Sequence, residues 1–198
     1  MTDAGAELRD WVWYGGRPSL DFVNTLRDRF AGGRELLVHA EDLATWCQAS
    51  GATAAPPSVD DALLHQAREL REAIDTGLSA IVRGTAFPAE AADVLNVWLT
   101  RAAQHAPRLE LTDGTPVFRP STVPDDAHGV LCRIALDAAE VLGSDLRQRL
   151  RICDGVGCSA RFIDHSAGGR RRWCSMSACG NRAKANRHRR ASVTTAVK

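Results

Sequence analysis

Cys153-Asp-Gly-Val-Gly-Cys158 and, fifteen residues on, Cys174-Ser-Met-Ser-Ala-Cys179-Gly-Asn-Arg182 hold four of the chain's six cysteines as two C-x4-C pairs. Each pair offers two sulfurs from one turn of chain, and the intervening loop can bring the pairs face to face. That is the ligand pattern of a tetrahedral metal, with zinc the usual occupant of a four-thiolate site at about 2.3 Å per bond. Two disulfides are the competing reading, but they need an oxidising compartment. Four protein ligands would leave no open position for water or substrate, so the spacing predicts one structural Zn²⁺ on Cys153, Cys158, Cys174 and Cys179.

The residues around the cysteines predict how the module is built. Arg151-Ile152-Cys153 suits a strand leading into a knuckle, whose Gly155 and Gly157 let the backbone wrap a metal. Ala160–Asp164 continues as a strand from which Phe162 or Ile163 can cover the site. Ser166–Gly169 is a turn, and Arg170–Trp173 is expected to return as the paired strand. Ser175 is a natural helix N-cap, and the helix behind it would run to Arg190. Knuckle, hairpin and ligand-bearing helix together make a treble-clef-like finger.

That helix is strongly basic and nearly without an apolar face. Arg182, Lys184, Asn186, Arg187, Arg189 and Arg190, with Arg170, Arg171 and Arg172 on the preceding segment, form a candidate nucleic-acid surface. Arg182 and Asn186, near the helix start, are the candidates for base contact. A solvated charge run is the plainer alternative. Residues 147–198 carry 13 Lys/Arg against 2 Asp/Glu, whereas residues 1–146 carry 12 against 22. Such a split points to an anion-binding module on an acidic body. Two parts are therefore expected, residues 1–144 and residues 145–198.

The body reads as mostly helical. Pro18 can open a helix, along which Leu20, Val23, Leu26 and Phe30 recur at helical spacing. Trp11–Arg17 before it suggests a short strand and turn. Further helices are expected over residues 40–50, from an N-cap at Ser58 to Gly84, from Pro88, and from Pro124 to about Leu142. The helix to Gly84 carries the stripe Leu63, Ala67, Leu70, Ile74, Leu78, Ile81. Between the last two helices, residues 109–118 alternate around Asp113-Gly114, a strong hairpin signal. The fold class is thus mainly α with small β-hairpins. Asp21, Asn24 and Arg27 share a polar face of the first helix and are candidates for a ligand cleft, with local caps the simpler use.

No Gly-rich phosphate loop, nucleophile elbow or H-E-x-x-H is present. His39, His65, His105 and His128 are scattered, so no enzyme activity is expected. The N-terminal residues lack a signal-peptide pattern and no apolar run is long enough to span a bilayer, which suggests a cytoplasmic protein. Cys47 and Cys132 suit buried apolar positions.

Arg172-Trp173-Cys174 through Cys179-Gly180-Asn181-Arg182-Ala183-Lys184 resembles the CGNR zinc finger, named for the string at 179–182. Leu20-Asp21-Phe22-Val23-Asn24-Thr25 and Asp42-Leu43-Ala44-Thr45-Trp46 resemble the ABATE domain that precedes this finger in bacterial proteins. The resemblance implies a stress-responsive transcriptional regulator whose finger binds DNA. The acidic helical body is expected to sense a small-molecule effector or mediate assembly. A homodimer is expected, because a single recognition helix usually needs one for specificity. The alternative from another class is an RNA- or protein-binding adaptor, and an enzyme site near Asp21, Asn24 and Arg27 is a third.

Overall fold

A computed structural model describes residues 11–186 of the 198-residue chain. Three two-stranded antiparallel hairpins accompany the helices among these residues, so the architecture is mainly α with small β pieces. The chain groups into two compact units. One joins the stretch ending at Leu36 to the stretch beginning at Arg149, and the other is Leu37–Gln148.

The Leu37–Gln148 unit is a packed set of four helices, α2 (Ala40–Ala49), α3 (Asp61–Arg83), α4 (Ala89–Ala103) and α5 (Ala127–Gly143). α3 touches the other three, and α5 also packs on α2 and α4. The stripe on α3 does what its spacing predicts: Leu63, Ala67, Leu70, Ile74 and Leu78 are buried, and Ile81 is half-buried. Leu43, Trp46 and Cys47 on α2, and Leu95, Trp98 and Ala102 on α4, complete the core with Val130, Leu131, Ile134 and Val141 of α5.

Helix starts differ slightly from expectation. Asp60, not Ser58, caps α3, accepting from the Leu63 N–H at 2.7 Å. α5 begins three residues after Pro124, where Asp126 accepts from the Gly129 N–H at 2.8 Å. In both cases a carboxylate placed three residues before a free amide wins over the earlier signal. β3 (Arg108–Thr112) and β4 (Thr115–Arg119) form the expected hairpin. Both turn residues are left-handed, with φ of 50° at Asp113 and 78° at Gly114, as a type I′ turn requires.

In the other unit, α1 spans only Pro18–Val23 and does not continue to Phe30. Instead β1 (Leu26–Arg27) pairs with β2 (Arg34–Glu35). Two side chains mark where the helix stops. Thr25 Oγ1 returns to the Phe22 carbonyl at 2.7 Å, and the Asn24 amide is committed to a distant strand. Trp11–Arg17 forms no strand; a sheet-like bond runs from the Ile163 N–H to the Gly15 carbonyl, 2.9 Å.

β5 (Leu150–Ile152) and β6 (Arg161–Ile163) form the finger's hairpin. The expected pairing of β6 with Arg170–Trp173 is not formed, and that segment is not a strand. Its backbone groups go to other partners: the Arg171 N–H to the Asp164 carboxylate at 2.8 Å, while the Arg172 carbonyl receives the Asp154 N–H at 3.0 Å. Residues 11–36 therefore group in space with the finger, whereas a linear division at 144/145 assigns them to the body.

Candidate metal centre

The knuckle between β5 and β6 carries Cys153 and Cys158, and the chain crossing back from the Ser166–Gly169 turn delivers Cys174 and Cys179. All four sulfurs lie within 4.8 Å of one another. Cys158 Sγ is 3.9 Å from Cys174 Sγ, and Cys174 Sγ is 3.8 Å from Cys179 Sγ. A tetrahedron with arms of about 2.3 Å has edges of about 3.8 Å, so the spacing is that of ligands around one ion. The four side chains are buried, and Phe162 closes the cluster with half-buried Ala160 and Trp173 against it.

The backbone is shaped to this purpose. The Gly155 and Cys174 N–H groups point at Cys153 Sγ, 3.4 and 3.3 Å away. A Cβ on Gly155 would lie 2.9 Å from Cys179 Sγ, so only glycine lets the knuckle approach so closely. Ser175 caps the following turn, its hydroxyl accepting from the Ala178 N–H at 3.3 Å. That turn, Met176–Gly180, is a widened π turn, in which the Gly180 N–H reaches the Ser175 carbonyl at 3.0 Å. Residues 181–186 continue as helix.

Four thiols this close cannot all ionise without a cation. Donated hydrogen bonds from Cys158 and Cys174 pull the Cys153 thiol down to about 2. The proton Cys158 shares with Cys153 pushes Cys158 up to about 11, and Cys174 is raised further by the same neighbours. A divalent ion removes that conflict by taking all four sulfurs as thiolates. Donor set, spacing and burial fit one structural Zn²⁺.

Two arginines expected at a nucleic-acid surface are tied to the centre. Arg171 Nε donates to the Trp173 carbonyl at 2.8 Å and Nη2 to the Cys174 carbonyl. Its guanidinium lies 4.8 Å over the Phe162 ring. Arg182 Nη2 donates to Cys179 Sγ at 3.0 Å. The Cys-Gly-Asn-Arg string thus has a physical content: three residues along a helix return the guanidinium to the thiolate. Arg172 pairs with Asp154 at 2.8 Å and remains mostly exposed. Arg170, Lys184 and Asn186 are at or near the surface. Arg187, Arg189 and Arg190 lie outside the described residues.

The candidate ligand trio divides. Asp21 Oδ1 accepts from the Gly15 N–H at 2.8 Å. Asn24 is buried and forms two bonds to one residue of β6: Nδ2 to the Arg161 carbonyl at 3.0 Å, and Oδ1 from the Arg161 N–H at 2.8 Å. The Arg29 N–H adds a bond to Ser159 Oγ at 2.9 Å. These contacts stitch the N-terminal stretch to the finger. Sequence reasoning missed this clamp, and no local pattern announces it. It also missed Asp164, which accepts from Ser166 Oγ, Ser166 N–H and Arg171 N–H. Those bonds, the Ser166 hydroxyl foremost, hold its carboxyl down at about 2. An acid two residues before a serine is a readable turn signal.

Asn24 and Arg27, without Asp21, line a cavity of about 260 Å³ inside this unit. Trp11, Tyr14 and Asp28 form part of its wall, and Cys158, Cys174, Cys179 and Arg182 another. Elsewhere, Cys47 and Cys132 are buried, and burial pushes the Cys47 thiol up to about 12, which suits packing rather than chemistry. His128 is exposed on α5. Among the described residues, no helix is long and apolar enough to cross a membrane.

Two family models match the chain in succession. Residues 16–145 match ABATE, described as a putative stress-induced transcription regulator. Residues 149–191 match the CGNR zinc finger. No curated protein matches the chain significantly. The chain belongs to the ABATE family and carries a CGNR zinc finger.

Proposed function

We propose that this ABATE-family chain is a DNA-binding transcriptional regulator of the stress-response type, with a zinc-held finger as its nucleic-acid module. The observation that carries the reading is the concentration of cations around the metal centre: Arg170, Arg172, Arg182 and Lys184 are exposed, and the sequence adds Arg187, Arg189 and Arg190. The zinc holds the segment before Cys174 close to the helix after it, so Arg170, Arg172, Arg182 and Lys184 act as one patch. The helical unit serves as the effector-sensing or assembly part, and a homodimer would double the contact surface. The family description supports a regulatory role. No catalytic role is assigned to any residue.

Each phosphate neutralised on duplex DNA lowers the log–log salt slope by about 0.9. If roughly four to six of these residues touch phosphate, the slope should be about −4 to −5. Replacing Arg170 or Lys184 by Ala should make it shallower by about one and weaken all sequences alike. Arg171 is a poor probe, because its loss would disturb the Cys174 loop. Competition between duplex DNA and RNA separates regulator from RNA-associated adaptor. Undetectable binding of either at low salt would replace the assignment with a protein-binding adaptor.

A further inference from the structure

The cavity beside the metal centre has a mixed lining that narrows what it can hold. Trp11 and Tyr14 offer aromatic surface, while Arg27 and Arg182 are donors and Asp28 is an acceptor. Three of the ligand residues, Cys158, Cys174 and Cys179, border it as well. Four thiolates around Zn²⁺ carry a net charge of about −2, and Asp28 adds to that. A bare phosphate or carboxylate inside would face this negative charge with two arginines at most to offset it. A neutral planar ring with both donors and acceptors on its edge matches the lining better. At about 260 Å³ the space admits one such ring system rather than a long chain. Arg182 stands at the start of the basic helix, so a ring inside lies next to the cations that would take an attached phosphate.

We propose that this cavity receives a single nucleobase, stacked on Trp11 or Tyr14, with its phosphate outside against the finger's cations. The base belongs either to a free mononucleotide or to an unpaired nucleotide of a strand. The proposal rests on the nucleic-acid reading above and adds a site to it. Base–aromatic stacking is worth a substantial part of affinity in single-strand binding and tolerates any base.

The test uses the zinc-loaded full chain and three duplexes: fully paired, with one bulged base, and with an abasic bulge. The bulged base should bind at least about fivefold tighter than its abasic counterpart, the lower end of one stacked base. Trp11→Ala or Tyr14→Ala should remove that difference and leave the salt slope unchanged, because no phosphate contact is lost. Trp11→Phe, which keeps a stacking face, should restore it, and zinc content monitors folding of each variant. Calorimetric titration with AMP and GMP decides the source: saturable binding lost in Trp11→Ala assigns a free nucleotide. Duplexes that bind equally, together with no mononucleotide binding, would overturn the cavity proposal while leaving duplex recognition standing. Failure of every duplex to bind would instead defeat the parent reading, and the mononucleotide titration would then judge the cavity alone.

Discussion

Arg182 was legible as a cation near a helix start, and its partner was not. Sequence rules send arginine outward, toward solvent or phosphate. The structure turns its guanidinium to Cys179 Sγ at 3.0 Å, where it offsets part of the charge the thiolates bring. The thiolates in turn raise its own pKa, through the hydrogen bond to Cys179 first. Partners of this kind are typically worth about 10–100-fold in metal affinity. Arg182→Ala should therefore weaken zinc retention by about tenfold or more in competition with a chromogenic chelator. Unchanged retention together with altered DNA preference would assign the residue to base contact alone. Arg171 shows the same blind spot. Three successive arginines look alike in sequence, but only the middle one bonds the Trp173 and Cys174 carbonyls. The four cysteines were readable because metal ligation constrains type and spacing together, and few other uses need two close pairs.

At the scale of elements, a long periodic stripe and a local turn were legible, and long-range bonding was not. α3 is legible because its stripe repeats over 23 residues. The β3–β4 hairpin is legible because Asp113-Gly114 fits a turn that few other residues tolerate. α1 defeated the same reasoning: Leu26 and Phe30 keep helical spacing, but Asn24 leaves the helix to bond Arg161. Long-range side-chain bonds of this kind have no local signature. The strand expected over residues 170–173 failed because Asp164 and Asp154 take its backbone groups. Asn24→Ala would leave both buried backbone groups of Arg161 without their partner. Each such loss costs about 1–3 kcal/mol, so the finger unit should lose about 2–6 kcal/mol. Hydrogen exchange should show this as faster exchange at Arg161, with α3 and α5 unaffected. An unaltered exchange rate at Arg161 would mean that the clamp is dispensable.

For the whole molecule, the family segments follow the chain, 16–145 and 149–191, while the compact units do not. The N-terminal stretch to Leu36 groups with the finger, so the acidic share of the charge belongs to Leu37–Gln148, which holds 8 Lys/Arg against 16 Asp/Glu. If the negative unit restrains the finger's attraction for phosphate, the effect should fade as the Debye length shortens to about 10 Å near 0.1 M salt. Testing that by simply deleting residues 1–148 would also remove Asn24, Gly15 and Arg29 and their bonds to the finger. A shortened protein joining residues 1–36 to 149–198 through a flexible linker avoids the confusion. It should hold one zinc per chain, whereas residues 149–198 alone should hold it less tightly, as a chelator titration would show. Structural zinc contributes about 10–16 kcal/mol in small fingers, so chelation should unfold the shortened protein completely and the full chain only in its finger unit. With zinc bound, the shortened protein should bind duplex DNA more tightly than the full chain at low salt, the gap closing as salt rises. If the two bind alike at every salt concentration, the acidic unit does not restrain the finger.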